Sequence, residues 1–261
     1  RRPPTKDFVA INEIAAAFFT EKLASSPEAL AYIEGRGLDG PTVEAFGLGY
    51  APADWGQLAD RLAVLGRDTL QKAESLGLIR AKKSGNGFFD LFRDRLQFPV
   101  RNQDGRIVGF SGRTLGGDPE APKYVNSPDS HLYHKGKLLF GLAQARDRIR
   151  LTKRAIVVEG NVDVLAMHQA GFTETLAPLG TALTSGQALL IKRVAEDVVL
   201  LFDGDPAGLR AADKSLHVFL QASLHPRIAL LPMGEDPDSF LQTHGGEALA
   251  EILAAAPRGM D

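Results

Sequence analysis

The chain has 261 residues, of which 44% are hydrophobic, and its formal net charge is −2. This length exceeds the ~100–150 residues of a typical domain, so we expect two packed units. The chain contains no cysteine, which excludes disulfides, cysteine-bound zinc and a thiol nucleophile within these residues. It has neither an apolar run of the ~18 residues that cross a bilayer nor an apolar leader, so we expect a cytoplasmic protein.

Opposite charges are segregated along the chain. Residues 80–137 carry eleven Lys and Arg against six Asp and Glu, whereas residues 159–261 carry six against fourteen. Such runs are usually solvated surfaces. A basic stretch followed by an acidic one also suits a polyanion held near a metal ion, so the motifs must decide between the two interpretations.

The first elements in the chain are predicted to be helices, across residues 8–75. From Ile11 to Phe18, apolar residues recur at the i, i+3, i+4 and i+7 spacing of one buried helix face. Glycines interrupt this pattern at residues 35–41, and a second helical stretch is predicted near residues 55–65.

The next segment changes to the period of a β-strand. Leu96, Phe98 and Val100 alternate with polar residues or proline, residues 102–105 read as a turn, and residues 107–110 resume as a strand. This pattern predicts a hairpin with arginines near both of its ends, at Arg93, Arg95, Arg101, Arg106 and Arg113.

Strands and helices alternate from residue 140 to residue 245. Short apolar runs predict strands at 155–158, 175–179, 198–202 and 227–231, and helices are predicted between them at 162–169, 187–194 and 207–220. Continuous apolar strands separated by helices indicate a parallel sheet covered on both faces.

Acidic residues follow three of these predicted strands. Glu159 follows the first, Asp203 and Asp205 follow the third, and Asp236 and Asp238 follow the fourth. Because ligands bind at the carboxyl ends of the strands in an open parallel sheet, we expect these side chains to converge at one edge. Clustered carboxylates repel one another unless a cation is present, and an all-oxygen ligand set suits Mg²⁺ or Mn²⁺.

A structural role is the alternative for some of these acids. Asp205 and Asp236 are each followed by proline, which is typical of a helix N-cap, and Glu159 by itself could mark the turn at a strand end. Capping does not account for Asp203 or Glu159, and it does not explain why the acids share one edge.

The segments around the acids resemble the motifs of the TOPRIM domain. They read VEGNVDV from Val158, FDGDPAG from Phe202 and GEDPDS from Gly234. The upstream half resembles bacterial-type (DnaG-like) DNA primases, whose basic motifs it matches in order and spacing. The matching segments are 33–38, 48–52, 92–96, 110–113, 122–128 and 134–136. The resemblance spans about residues 8–245; in one departure, Asn161-Val162 stands where primases often have Tyr-Met.

The resemblance implies an α/β fold with three parts. A basic, mixed α+β subdomain is expected over residues 1–140, a TOPRIM domain with a mostly parallel sheet flanked by helices over 141–245, and the start of a truncated C-terminal helical region over 246–261. The implied activity is that of a DNA primase core, which synthesises short RNA primers from ribonucleoside triphosphates on single-stranded DNA. The cofactor would be Mg²⁺ or Mn²⁺, with no zinc in this fragment.

The resemblance also implies a metal centre of six carboxylates, which are Glu159, Asp163, Asp203, Asp205, Asp236 and Asp238. Asp203, Asp205 and Asp236 would be the main ligands. Glu159 would be a ligand or the general base, so that Glu159, Asp203 and Asp205 form the catalytic set. Asp163 and Asp238 would belong to the outer shell or to a second metal. Nucleotide and nucleic acid would be held by Arg36, Arg93, Arg95, Arg113, Lys123, Asn126 and Lys135.

The implied partners are the DNA template, the nucleotides and the RNA primer, for a monomer that does not bind membranes; a replicative helicase would dock on a C-terminal region absent here. A TOPRIM nuclease or topoisomerase is one alternative. A topoisomerase needs a tyrosine nucleophile, whereas each tyrosine fits a primase-like context, at Tyr32, Tyr50, Tyr124 and Tyr133. The other is a non-catalytic nucleic-acid-binding module, which does not need clustered acids that repel the DNA backbone. A nucleotide-binding enzyme of P-loop or Rossmann type is disfavoured, the former because no G-x-x-x-x-G-K-[ST] motif occurs.

Overall fold

The computed structural model describes residues 5–83, 85–116, 120–180 and 182–258. These residues fall into two compact units. The first takes most of the chain up to His134, and the second takes Arg36–Thr42, Gln103–Gly105 and the chain from Lys135 onward. None of the helices in the described part combines the length and apolar character needed to cross a bilayer.

Helices dominate the start of the chain, as predicted. Their bounds are α1 Thr5–Ala24, α2 Pro27–Gly35, α3 Gly40–Phe46, α4 Gln57–Ala63 and α5 Arg67–Ser75. The predicted face of α1 is buried, since Ile11, Ala15 and Phe18 are at most 6% exposed. They join the core of the first unit, where Phe19 stacks edge-on against Phe110 with ring centroids 5.3 Å apart.

The predicted hairpin forms the centre of an antiparallel sheet. The strands are β1 Gly49–Ala51, β2 Ile79–Ala81, β3 Phe88–Asp90, β4 Arg95–Arg101, β5 Ile107–Thr114 and β6 Tyr124–Asn126. Four of them pair in the order β1-β4-β5-β6, and β2 pairs with β3. The sequence did not predict β1, which lies in the tract assigned to helices. It packs so closely on α1 that a Cβ on Gly49 would lie 2.5 Å from the Phe19 Cβ.

Residues 35–40 spell G-x-G-x-x-G, the pattern of dinucleotide-binding turns. In that fingerprint the glycines follow a strand and open a helix. Here the segment joins helix α2 to helix α3. The structural context of a dinucleotide site is therefore missing.

The second unit is built on a parallel sheet, as predicted. Its elements are α6 Leu142–Thr152, β7 Arg154–Val157, α7 Asn161–Gln169, β8 Thr175–Leu176, α8 Ser185–Lys192, β9 Asp197–Phe202, α9 Pro206–Gln221, β10 Arg227–Leu230 and α10 Pro237–Ala255, preceded by a 3₁₀ turn at Lys135–Lys137. The strand order is β10-β9-β7-β8, and each neighbouring pair is parallel.

Strand β8 is shorter than the apolar run that predicted it. The run covers residues 175–179, but the ladder with β7 ends at Leu176. Ala177 instead exchanges backbone hydrogen bonds with Phe140, at N–O distances of 3.0 and 2.8 Å. An apolar run indicates that a segment is buried. It does not indicate which other segment will form backbone hydrogen bonds with it.

Candidate active site

The predicted acids of the second unit lie on loops that leave the carboxyl ends of three strands. Glu159 stands between β7 and the Gly160 N-cap of α7. Asp203 and Asp205 occupy the loop from β9 to α9, and Asp236 precedes α10 after β10. The three loops therefore leave the same edge of the parallel sheet.

Two glycines fix the loop that carries Asp203. A Cβ on Gly204 would lie 2.0 Å from the Leu231 carbonyl oxygen, and a Cβ on Gly208 would lie 2.2 Å from the Asp203 carbonyl oxygen. The Leu231 backbone N–H also donates to the Phe202 carbonyl oxygen at 3.0 Å. The loop is thus packed between β10 and α9 with no room for side chains at either glycine.

The capping interpretation of two acids is confirmed. Asp205 Oδ1 accepts hydrogen bonds from the Ala207 and Gly208 backbone N–H groups at 2.8 and 2.6 Å. Asp236 Oδ1 accepts one from the Ser239 backbone N–H at 2.8 Å. Both caps use Oδ1, so ligation of a cation through Oδ2 is compatible with them. Capping and a functional role are therefore not exclusive here.

Asp163 lies among other carboxylates at the first turn of α7. Its Oδ2 accepts a hydrogen bond from the Gly160 backbone N–H at 3.0 Å. Burial, followed by the negative charges of Asp236, Asp203 and Asp238, raises the pKa of Asp163 to about 8. The acids contributed by different strands are therefore close enough to repel one another.

Glu159 experiences the same repulsion from the β9 loop. Partial burial of its carboxyl and the charges of Asp203 and Asp205 raise the pKa of Glu159 to about 7, while a hydrogen bond from the Asp203 backbone lowers it. Much of the residue is nevertheless exposed. A cation bound at this edge would offset the negative charges of Asp203 and Asp205 that act on Glu159.

Both carboxylate oxygens of Asp238 are engaged by other side chains. Its side chain is 2% exposed, and Oδ2 lies 2.7 Å from Nη1 of Arg36. Oδ1 accepts a hydrogen bond from Gln242 Nε2 at 2.9 Å, and the same nitrogen also contacts the Arg36 carbonyl oxygen at 3.1 Å. This buried ion pair ties the segment containing Arg36 to α10, which is a structural role that neither residue's motif indicated.

The carboxylate oxygens of these acids are suitable ligands for a divalent cation such as Mg²⁺ or Mn²⁺. Within the part of the chain that the structure describes, no three His, Asp or Glu side chains converge closely enough to hold a metal ion. The donor set is nevertheless all oxygen. Burial is the largest cause of the raised pKa values of Glu159 and Asp163, and the neighbouring carboxylates add repulsion that a hard cation would offset. The carboxylates would have to turn toward a common point to bind it.

Arg113, a predicted basic residue of the first unit, lies against an aromatic ring. Its guanidinium carbon lies 4.4 Å from the centre of the Tyr32 ring. Its Nε and Nη1 are buried and have no hydrogen-bond partner among the described residues. Buried donors without acceptors are costly, so Arg113 is a strong candidate to bind an anion such as phosphate.

Two other predicted arginines support the hairpin. Arg95 is 7% exposed and donates to the carbonyl oxygens of Gly112 and Pro122 at 3.2 and 2.9 Å. The guanidinium of Arg93 stacks on the Trp55 ring at 3.9 Å from its centre. The contacts of both side chains are with the protein itself, which favours a role in positioning the surface around them.

Lys123 and Asn126 lie at the two ends of β6. Lys123 is exposed immediately before the strand, and its carbonyl oxygen accepts a hydrogen bond from the Thr114 backbone at 3.0 Å. Asn126 is half-buried and pairs with Ser111 in the ladder with β5. The geometry thus leaves Lys123 open to an anionic ligand.

The turn that carries Lys135 is clamped by residues that the sequence interpretation missed. Thr184 Oγ1 donates to the Gly136 carbonyl oxygen at 2.7 Å, and Gln187 Nε2 donates to those of Lys135 and Leu138 at 2.9 and 2.7 Å. Thr184 and Gln187 form the capping box of α8. The T-x-x-Q spacing was a visible signal for that cap, although it could not show that the same side chains hold a distant turn.

Comparison with known proteins identifies related chains for both units. Residues 18–146 match the family described as DNA primase catalytic core, N-terminal domain, and residues 156–241 match the Toprim-like family. DNA primase of Myxococcus xanthus is 44% identical over 229 residues, covering 87% of this chain and 37% of that protein. DNA primase of Halalkalibacterium halodurans is 44% identical over 242 residues, covering 92% and 40%. The chain thus spans about two fifths of these relatives.

Solved structures agree with the sequence relatives. A DNA primase domain from Pseudomonas aeruginosa superposes with a TM-score of 0.90 at 36% identity, covering 96% of this chain and 79% of that one. A DnaG primase catalytic domain bound to single-stranded DNA gives 0.87 at 33%, covering 97% and 82%. The resemblance read from the motifs and the predicted fold class are both confirmed, and the chain belongs to the DnaG family of DNA primases, within which it corresponds to the catalytic core.

Proposed function

We propose that this chain synthesises short RNA primers from ribonucleoside triphosphates on single-stranded DNA. The observation that carries the proposal is the carboxyl edge of the parallel sheet, where the loops after β7, β9 and β10 bring Glu159, Asp203 and Asp236 to one side. A related catalytic domain has been solved with single-stranded DNA, which supports the same class of template for this chain.

A divalent cation, Mg²⁺ or Mn²⁺, would be held by Asp203, Asp205 and Asp236. When bound, it would lower the pKa of the attacking 3′-hydroxyl and offset negative charge on the leaving pyrophosphate. Glu159 would act as a further ligand or accept the proton from that hydroxyl. The packing at Gly204 and Gly208 would keep the Asp203 loop in place through the reaction, because neither position can accept a side chain.

Basic side chains would bind the polyphosphate and the template. Arg113 is the strongest candidate, because its buried Nε and Nη1 can donate to phosphate oxygens without breaking an existing hydrogen bond among the described residues. Lys123 and Lys135 would add positive charge, the latter from the turn held by Gln187. Asp238 and Arg36 would act mainly on each other, as an internal ion pair.

The two alternative functions are less well supported. A non-catalytic nucleic-acid-binding module leaves the clustered acids unexplained, since they repel a phosphate backbone. Another Toprim enzyme, a nuclease or topoisomerase, leaves unexplained the match of residues 18–146 to the primase-specific N-terminal family.

Template-directed incorporation of labelled ribonucleotides, with and without Mg²⁺ or Mn²⁺, tests the proposal. We expect metal-dependent incorporation by the unmodified chain and its loss in Asp203→Asn. Asp147→Asn is the matched control, because it removes the same charge from an exposed side chain on α6. Incorporation that survives in Asp203→Asn, or that needs no metal, would contradict the proposal.

A further inference from the structure

We propose that a cleft in the second unit binds a free nucleoside phosphate without the help of a metal ion. The cleft has a volume of about 460 Å³, within the ~300–1,000 Å³ that is usual for small-molecule sites. Its walls come from the end of β7, the segment after β8, the end of β9 and helix α9. None of the residues assigned to nucleotide binding from the sequence lines it.

The floor of the cleft suits a flat, largely apolar ring. Val157, Val158, Leu183 and Phe202 all line it, and each is at most 7% exposed. A nucleobase placed there would replace water against aliphatic side chains and could contact the Phe202 ring. Aromatic contact of this kind tolerates different bases, because each base has a π-face.

Two cations of helix α9 stand at the cleft and give it a preference for anions. Arg210 and Lys214 both line it, four residues apart on one helix face, and both are exposed. Neither has a hydrogen-bond or ion-pair partner among the described residues. Like charges at this spacing repel each other. A phosphate bound by both removes that repulsion and forms charge-assisted hydrogen bonds.

Glu159 adds a negative charge to the cleft, opposite in sign to Arg210 and Lys214. It also lines the cleft but comes from the end of β7, whereas the cations come from α9. A phosphate is repelled by the carboxylate and attracted by the two cations, so it orients toward α9. A carboxylate at the other side accepts hydrogen bonds from the exocyclic amino group of a base such as adenine.

The ligand is a free nucleotide and not one paired with a template. A base inserted in the apolar cleft has its edges against protein and cannot pair with a DNA strand. Its phosphate is held by Arg210 and Lys214, so binding does not need the divalent cation that the acidic edge is proposed to hold. Binding in the presence of EDTA therefore separates this site from the proposed catalytic function.

The proposal is tested by titrating AMP into the whole chain in the presence of EDTA and measuring its affinity by isothermal titration calorimetry. We expect AMP to bind the unmodified chain, and the pair Arg210→Gln and Lys214→Gln to weaken it at least tenfold, which is about 1.4 kcal/mol. Adenosine, which lacks the phosphate, should bind equally to both proteins. The control pair Arg150→Gln and Arg193→Gln removes two charges from the same unit away from the cleft and should leave AMP affinity unchanged.

A cleft-filling variant locates the ligand independently of charge. Ala207 lines the cleft and is exposed, so Ala207→Leu should preserve the fold, checked by circular dichroism, and weaken both AMP and adenosine. The proposal is overturned if AMP does not bind in EDTA, if the Arg210 and Lys214 pair leaves its affinity unchanged, or if folded Ala207→Leu binds AMP as the unmodified chain does.

Discussion

Replacing Arg36 with methionine should destabilise the second unit strongly. Arg36 Nη1 lies 2.7 Å from Asp238 Oδ2, and the two side chains are 33% and 2% exposed. Methionine keeps an apolar stem of similar reach but leaves the Asp238 carboxylate buried with Gln242 as its remaining side-chain partner. Breaking a buried ion pair costs ~3–5 kcal/mol. Because water reaches part of the Arg36 side chain, we expect the lower end, about 3 kcal/mol.

Urea denaturation in EDTA would measure this loss as a change in the free energy of unfolding. A cycle with Asp238→Asn should show coupling, since the double variant no longer buries an unpaired charge. Arg150→Met, at an exposed position on α6, is the control and should change stability by less than ~0.5 kcal/mol. If Arg36→Met costs as little as this control, the pair behaves like a surface ion pair. Its assignment as a structural tie would then be wrong.

Three further outcomes follow from other parts of the chain. Gly204→Ala should unfold or inactivate the chain, because the added Cβ would lie 2.0 Å from a carbonyl oxygen, whereas Gly40→Ala should be tolerated because nothing lies within 4 Å of its Cβ. Thermal melting compares the two variants, and equal melting temperatures would contradict the packing argument. Burial lowers the pKa of His168 below its usual 6.5, so the unfolded state takes up the proton first and stability should fall as the pH drops through about 6.5. His168→Gln should flatten this pH dependence of the urea midpoint, and an unchanged dependence would mean that His168 is not its source. The chain should bind single-stranded DNA with a dissociation constant of ~10⁻⁴–10⁻⁶ M. Arg113→Ala should weaken this binding and reduce by about one the slope of the logarithm of the binding constant against the logarithm of the salt concentration, as measured by fluorescence anisotropy. An unchanged slope would mean that Arg113 does not contact phosphate.

Local patterns predicted the central hairpin of the first unit, the parallel sheet of the second unit and the acidic edge, but not the short strand β1. The alternation at Leu96, Phe98 and Val100 predicted β4, and the hydrogen-bonded hairpin followed from the turn after it. Continuous apolar runs predicted the parallel sheet, because strands buried on both faces have few polar residues. The carboxyl-edge rule then placed Glu159 and Asp203 together without any knowledge of the contacts between them.

Contacts between distant segments were not predictable from such patterns. Arg36 and Asp238 are 202 residues apart, and nothing in either motif specifies the other as its partner. Gly204 and Gly208 were read only as motif letters, since the close approach that requires them depends on where β10 and α9 pack. The cleft beside Glu159 is a property of the assembled unit, so the sequence did not single out Arg210 and Lys214, which line it.

The most direct test of the central claim is the location of a divalent cation at the acidic edge. Crystals soaked with Mn²⁺ should show anomalous density within ~2.0–2.4 Å of carboxylate oxygens, contributed by Asp203, Asp205 or Asp236. Asp203→Asn crystals soaked in the same way should lose or weaken this density. Mn²⁺ bound elsewhere, with this edge still empty at high concentration, would contradict the claim that these carboxylates form the metal centre of a nucleotidyl-transfer site.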